Sequence, residues 1–107
     1  MTRSSSSCIN SKQDTVTVEL VGTLKHYAGK GKLLMTVTDC VSVLSLIREL
    51  EDKHGIPKGL LLEENRERVR SNLLVLVNER EISVLEGVAT RLTPGDRLTL
   101  LPVSHGG

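Results

Sequence analysis

The clearest candidate for chemistry in this chain is its C-terminus, which ends in two consecutive glycines, Gly106 and Gly107. Average glycine usage produces such an end in roughly one chain in two hundred. A terminal carboxylate without a neighbouring Cβ can enter a narrow active-site channel of another protein and adopt backbone angles closed to other residues. A flexible end or a cloning remnant is the alternative interpretation, and the residues upstream must decide between them.

Two residues that precede the diglycine, His105 and Pro102, are candidates for tail contacts. His105 has an unperturbed pKa of about 6.5, so it could donate a proton, contact a partner or simply be an exposed tail residue. Pro102 ends the last apolar run, and its fixed φ stiffens the base of the tail and helps to aim it outward. Both are therefore predicted as possible docking residues for the tail.

The remaining side chains predict no catalytic or metal site. His26 and His54 lie far apart in the sequence, and Cys8 and Cys40 do not have a metal-ligand spacing. The glycines near residue 30 lack the spacing of a phosphate-binding loop. Because one cysteine lies in a probable tail, no structural disulfide is expected, and a reducing cytoplasm is the predicted compartment.

Composition excludes several classes of protein. The 107 residues allow one domain, and its core must be built from Leu, Val and Ile, since the chain has no Phe or Trp and one Tyr. Lys and Arg total 14 against 13 Asp and Glu, so direct nucleic-acid binding is not expected without aromatic residues for base stacking. No apolar stretch is long enough to cross a bilayer, and the N-terminus does not resemble a secretory signal.

The N-terminal half predicts an arm, a hairpin and a helix. Residues 1–14 are Ser-rich and are predicted to be a disordered arm. Strands are predicted over residues 15–22 and 33–38, with a turn over residues 26–32 between them. A helix follows, with Ser42 as N-cap and Gly55 beyond its C-terminus. Its apolar residues share one face: Val43, Leu46, Ile47 and Leu50.

The C-terminal half predicts three further strands. Residues 59–70 form either a short helix or an ordered loop, whose charged part we interpret as a solvated face. Residues 72–78 are a continuous apolar run, typical of a strand buried on both faces, and a short strand is expected at 81–84. Pro94 and Gly95 predict a type II turn before the last strand, residues 97–103.

This order of elements predicts an α+β fold. One amphipathic helix can cover one face of a single mixed sheet of four to five strands. Two hairpins joined by a crossover helix place the first and last strands side by side and parallel, in the middle of the sheet. That architecture is the β-grasp, or ubiquitin-like, roll, here residues 15–104, with 105–107 as a flexible reactive tail.

Three stretches resemble the MoaD/ThiS and ubiquitin-related-modifier group of β-grasp sulfur carriers: VELVGTLKHYAGKG, LLVLVNEREI and RLTPGDRLTLLPVSHGG. The last is the most specific, since turn, strand, proline and diglycine keep their spacing together, and the match spans residues 15–107. Glu79 follows Asn78 where the family usually has Gly, which predicts a different turn or a small bulge. The ending His105-Gly106-Gly107 resembles that of the ubiquitin-related-modifier branch. Molybdopterin synthase small subunits more often have a small residue at the position of His105.

The resemblance implies a ubiquitin-like protein co-substrate rather than an enzyme. A partner adenylyltransferase of the ubiquitin-activating type would use ATP and Mg²⁺ to adenylate the C1 carbon of Gly107, and Gly106 matches the residue before it. A persulfide protein would then supply sulfur to form a thiocarboxylate. The sulfur would serve tRNA thiolation or cofactor synthesis, or Gly107 would form isopeptide bonds with target lysines. The chain itself would bind no cofactor.

Two alternatives stay open. One is a small subunit of molybdopterin synthase, partnered by the large subunit in molybdenum cofactor biosynthesis. The other is a β-grasp binding domain without C-terminal chemistry.

In the family the exposed sheet face docks the activating enzyme, which implicates the last strand here. Leu98 and Leu100 lie on one of its faces, Thr99 and Leu101 on the other, and the sequence assigns neither pair to the interface.

Overall fold

The computed structural model describes residues 15–37 and 40–103. The predicted arm, 1–14, and the predicted tail, 105–107, lie outside these ranges. The described elements are β1 (Thr15–Leu20), α1 (Leu24–Ala28), β2 (Lys32–Thr36), β3 (Val41–Ser42), α2 (Val43–Lys53), β4 (Leu73–Val77), β5 (Arg80–Glu81), β6 (Arg91–Leu92) and β7 (Arg97–Pro102). Two short 3₁₀ helices, Ile82–Val84 and Gly87–Ala89, lie between β5 and β6.

Five strands form one mixed sheet in the order β2-β1-β7-β4-β5. The first and last strands, β1 and β7, are parallel neighbours with Val18 opposite Leu98. The other pairs are antiparallel, and β4 places Leu73 opposite Pro102 at the end of β7. The predicted mixed sheet with a central parallel pair is therefore confirmed, and β7 is the middle strand.

A second, two-stranded ladder joins β3 to β6, with Val41 opposite Leu92. The Val43 backbone N–H donates to the Thr90 carbonyl oxygen at 2.9 Å and extends the contact to the start of α2. This ladder was not predicted, because a two-residue strand is too short to show an alternating pattern.

Helix α2 covers the inner face of the sheet, as its apolar stripe predicted. The Ser42 hydroxyl accepts a hydrogen bond from the Ser45 backbone N–H at 3.1 Å, which confirms the N-cap. Gly55 has φ +81°, which confirms the left-handed residue beyond the helix. The aliphatic core between helix and sheet includes Val16, Val18, Leu20, Val43, Leu46, Ile47, Leu50, Val75, Leu98 and Leu100.

The segment between β1 and β2 contains a short helix where a turn was predicted. Helix α1 spans Leu24–Ala28, and Leu24 is its one buried residue. Gly29 ends the helix at φ +81°, with its N–H donating to the Lys25 carbonyl oxygen at 2.8 Å. Five residues are too few to show helical periodicity, so the burial of Leu24 in the tertiary structure decides this helix.

The β4–β5 hairpin keeps a two-residue turn despite its unusual sequence. Asn78 and Glu79 have φ +50° and +75°, the pattern of a type I′ turn, and Val77 still pairs with Arg80. The predicted change of turn or bulge is therefore wrong. The Asn78 side chain holds the turn, because its Oδ1 accepts from the Arg97 backbone N–H at 3.0 Å.

Replacing Glu79 with glycine is expected to stabilise the protein. A side chain at positive φ costs on the order of 1 kcal/mol, and glycine removes this cost at the position where type I′ turns favour it. We expect the free energy of unfolding in urea to rise by about 0.5–1 kcal/mol. The ion pair of Glu79 with Arg97, 3.7 Å long and solvent-exposed, offsets little of this gain. An unchanged or lower free energy of unfolding would contradict strain at this residue.

The charged segment after α2 is an ordered loop, one of the two predicted forms, with Leu62 bridged to Val69. It is more than a solvated face. The side chain of Glu51 on α2 is 1% exposed, and its Oε2 accepts from the backbone N–H groups of Leu61 and Leu62 at 3.0 and 3.1 Å. Arg66 is half-buried and lies 3.6 Å from the Glu51 Oε1. A buried carboxylate therefore organises the loop.

Asp52, one residue further along α2, forms the outer part of the same cluster. It accepts hydrogen bonds from Lys58 at 2.6 Å and from Arg66 at 3.0 Å. The Lys58 hydrogen bond is the main cause that lowers the pKa of Asp52 from its ordinary value, and the charges of Arg66 and Lys58 add to it. The carboxylate is ionised and held against the loop at neutral pH.

Cys40, just before β3, is half-buried and disulfide-bonded. The expectation that the chain forms no disulfide is therefore wrong. Cys8 lies outside the described residues. Because disulfides are typical of oxidising compartments, the cysteines no longer support the predicted cytoplasmic localisation.

Candidate functional site

The base of the predicted tail is the end of β7. Its inward side chains, Leu98 and Leu100, are fully buried and anchor the strand in the core. Beyond the strand, the Val103 backbone N–H donates to the Asn72 carbonyl oxygen at 2.8 Å. The chain is thus fixed to the middle of the sheet as far as Val103, four residues before its C-terminal carboxylate.

The backbone nitrogen of Pro102 faces a side of β7 where no partner strand needs an N–H donor. The Val103 N–H faces β4, and backbone N–H groups alternate in direction along a strand, so the Pro102 nitrogen faces the β1 side. The pairing with β1 ends at Leu100. The proline therefore terminates the central strand without breaking a ladder hydrogen bond, consistent with its predicted place at the base of the tail.

The outward face of the sheet is the candidate docking surface. The burial of Leu98 and Leu100 puts Thr99 and Leu101 on this open face, where both are half-buried. This assigns the pair of β7 residues that the sequence left undecided. Only Thr99 and Leu101 of β7's central residues are accessible to a partner.

Strand β4 adds two leucines to the same face. Leu74 lies opposite Leu101, Leu76 lies opposite Thr99, and both leucines are half-buried. The prediction that β4 is buried on both faces is therefore wrong for its outward side. Val103 follows Leu101 on the same face and is 38% exposed. We call Leu74, Leu76, Leu101 and Val103 the open-face patch.

The sequence analysis missed Leu74 and Leu76 as candidate contact residues. A continuous apolar run gives no alternation by which to tell a strand with one accessible face from one with none. Their cross-strand pairing with β7 is the signal, and only the register between the two strands shows it.

Of the four predicted site residues, the structure places Pro102 alone. His105, Gly106 and Gly107 lie outside the described residues, and their roles stay predictions. His26 is exposed on α1 and His54 is half-buried at the C-terminus of α2. Across residues 15–37 and 40–103, no three His, Cys, Asp or Glu side chains come together as a possible metal site. Neither helix of the described part is long and apolar enough to cross a membrane.

Comparison with known proteins identifies relatives over nearly the whole chain. Residues 18–107 match the model of the ThiS family. Small archaeal modifier protein 3 from Haloferax volcanii is 32% identical over 85 residues, which cover 79% of this chain and 90% of that protein.

Two solved structures share the fold. Small archaeal modifier protein 1 from Methanosarcina acetivorans is 27% identical with a TM-score of 0.75, covering 89% of this chain and 98% of that one. A chain of the Amycolatopsis orientalis BexX/CysO complex is 27% identical with a TM-score of 0.68, covering 86% of this chain and 99% of that one. These matches confirm the β-grasp fold and the family resemblance of the three sequence stretches. With the family model matched from residue 18 to residue 107, the chain belongs to the ThiS family.

Proposed function

We propose that this protein is a ubiquitin-like sulfur carrier or protein modifier whose reacting atom is the C1 carbon of Gly107. The observation that carries the proposal is the geometry of β7. The middle strand of the sheet holds the chain as far as Val103, beside the open-face patch. The four remaining residues, when extended, reach about 13 Å beyond that point, enough to insert the terminal carboxylate into a partner's active site.

The chemistry would take place in the partner. A Gly107 carboxylate oxygen attacks the α-phosphate of ATP, and pyrophosphate leaves to give an acyl-adenylate. The terminal sulfur of a persulfide protein then attacks C1, and AMP leaves. A thiol reduces the resulting acyl disulfide and releases the thiocarboxylate, with the thiol oxidised to a disulfide. Gly106 and Gly107 present no Cβ to the channel through which the carboxylate must pass.

The partner we propose is an adenylyltransferase of the ubiquitin-activating type, which holds the ATP and Mg²⁺. Among the relatives, two are named as modifier proteins, and one belongs to a two-protein complex. The half-buried leucines of the open-face patch beside the tail suit such a contact, because the apolar centre of an interface contributes most of its affinity. On this proposal the chain is a co-substrate, not an enzyme. Its need for ATP favours the cytoplasm, whereas the disulfide of Cys40 does not.

The thiocarboxylate would donate sulfur to tRNA or a cofactor precursor, and the acyl-adenylate would allow isopeptide bonds to lysines. Both roles share the activation of Gly107, and His105 is proposed to contact the partner during it. That the chain is the small subunit of molybdopterin synthase remains a prediction. It requires that the chain form a stable complex with the large subunit.

The test is intact-protein mass spectrometry after incubation with ATP, Mg²⁺, a sulfur source and a candidate adenylyltransferase. We expect the full chain to gain the mass difference of one sulfur replacing one oxygen. The matched control lacks Gly106 and Gly107, and we expect it to gain nothing. Its fold should be intact, because the last described hydrogen bond of β7 to the sheet is made by Val103.

The modifier role has its own readout. Target peptides that carry the C-terminal residues of this chain on a lysine would show conjugation. If neither the thiocarboxylate nor a conjugate forms with the full chain, the proposed function is wrong, and a β-grasp binding domain is the remaining interpretation.

A further inference from the structure

The connection between β1 and β2 carries charged side chains of positive sign only. Residues 20–38 contain three lysines and no Asp or Glu. Lys32 lies 3.8 Å from Glu19. Lys25 and Lys30 are exposed, and within the described residues the ammonium group of neither side chain makes a hydrogen bond or an ion pair. Two cations therefore project from this connection without a counter-charge in the part of the chain that the structure describes.

This connection lies against the base of the tail. The Val21 backbone N–H donates to the Leu100 carbonyl oxygen of β7 at 3.1 Å. Gly22 follows at φ +68°, and a Cβ built on it would lie 3.6 Å from the Pro102 Cγ. Lys25 and Lys30 are consequently held at the end of the sheet from which the C-terminal residues leave.

The connection is also held in place from its other side. Leu24 is 2% exposed and anchors α1 in the core. The backbone of Tyr27 approaches Gly55, where a Cβ would lie 3.0 Å from the Tyr27 carbonyl oxygen. Because α1 is fixed at both places, the backbone that carries Lys25 is preorganised for a partner and loses less conformational freedom when one binds. Lys30 follows two residues after the helix.

The neighbouring exposed side chains favour a protein partner. Val21, Tyr27 and Val103 are 37%, 47% and 38% exposed around the same end of the sheet. A rim of charge around apolar side chains is the composition of a protein–protein interface. Nucleic-acid binding would require stacking aromatics, and Tyr27 is the single aromatic residue of the chain.

We infer that Lys25 and Lys30 form a basic docking rim that recognises an Asp/Glu-rich surface on the protein that receives the tail. This inference rests on the proposed activation of Gly107 and adds the charge of the partner surface. The lysines would steer the encounter and set its register, while the open-face patch supplies the apolar contact.

The test measures the KM of the full chain in ATP–pyrophosphate exchange catalysed by a purified adenylyltransferase from the same organism. The variants are Lys25→Glu, Lys30→Glu and the double variant. The matched control is Arg80→Glu with Arg91→Glu, which makes the same charge change at two exposed arginines, one in the edge strand β5 and one in the separate β3–β6 ladder.

We expect the double lysine variant to raise KM about tenfold with little change in kcat, and the arginine control to leave KM within about twofold. The difference should shrink in about 1 M salt, where the Debye length is about 3 Å. Equal effects of the lysine and arginine variants would overturn the inference.

Two further outcomes separate the possibilities. In the first outcome, the lysine variants support ATP–pyrophosphate exchange as well as the wild-type chain does, but they no longer bind labelled tRNA. The rim then binds nucleic acid, and the inference is wrong. If the wild-type chain supports no exchange at all, the proposed function fails, and the inferred partner fails with it.

Discussion

Replacing Leu101 with aspartate is expected to lower the kcat/KM of Gly107 adenylation about a hundredfold. Leu101 is half-buried at the centre of the open-face patch, opposite Leu74 and two residues before Val103. If this patch docks the activating enzyme, a carboxylate there loses its hydration at the interface without gaining a partner. Central apolar contacts of this kind cost 2 kcal/mol or more when removed, which corresponds to roughly 30-fold or greater effects.

The control must separate docking from folding. Val84 is 71% exposed in the 3₁₀ helix after β5 and does not belong to the patch, so Val84→Asp introduces the same chemistry elsewhere. Leu101→Ala is the second variant, since it shortens the side chain without adding charge. Thermal unfolding of all three variants reports the fold. Loss of activity by Leu101→Asp and Val84→Asp alike, or full activity of Leu101→Asp, would contradict docking through this face.

The second large effect is expected from Glu51→Ala, which acts on stability rather than on activation. The substitution removes the acceptor of two backbone N–H groups, those of Leu61 and Leu62, and deprives Arg66 of a buried partner. Donors left unsatisfied in the interior cost about 1–3 kcal/mol each. We expect the free energy of unfolding to fall by about 3 kcal/mol, which for a domain of this size lowers Tm by about 10–20 °C.

Glu51→Gln distinguishes the acceptor from the charge. The amide oxygen of glutamine can still accept from the backbone N–H groups, so this variant should lose only about 1 kcal/mol. If Gln destabilises the protein as much as Ala does, the negative charge facing Arg66 matters more than the backbone hydrogen bonds. If Ala costs less than about 1 kcal/mol, Glu51 does not organise the loop.

Local patterns were sufficient for the main elements and their order. The apolar residues of α2 recur at helical spacing, and Ser42 and Gly55 mark its two ends, so the helix could be predicted within a residue or two. The alternation of β1 and the Pro94–Gly95 turn before β7 are equally local signals; Gly95 has φ +96°, as that turn requires. One helix and two hairpins then permit few arrangements other than a β-grasp roll.

The elements that were missed depend on contacts between distant residues. Helix α1 and the β3–β6 ladder are too short to have a periodicity, and they form because Leu24 and Leu92 are buried in the core. The turn at Asn78 and Glu79 is kept by hydrogen bonds of Asn78 to Asp96 and Arg97, eighteen and nineteen residues away. No local window contains this information.

The fold class follows from the periodicity and the turn residues of the sequence. The family and the candidate reacting residue follow from the resemblance of three stretches, the last of which ends in the diglycine. Only the tertiary structure decided which side of the sheet is accessible. One side of β7 carries Leu98 and Leu100, and the other carries Thr99 and Leu101. Because both sides carry leucine, the pattern does not assign the buried side, and the placement of α2 is what buries the first pair. The burial of Glu51 was likewise decided by the tertiary structure. Its charge predicts an exposed side chain, but backbone N–H groups of the loop donate hydrogen bonds to the carboxylate and make its burial favourable.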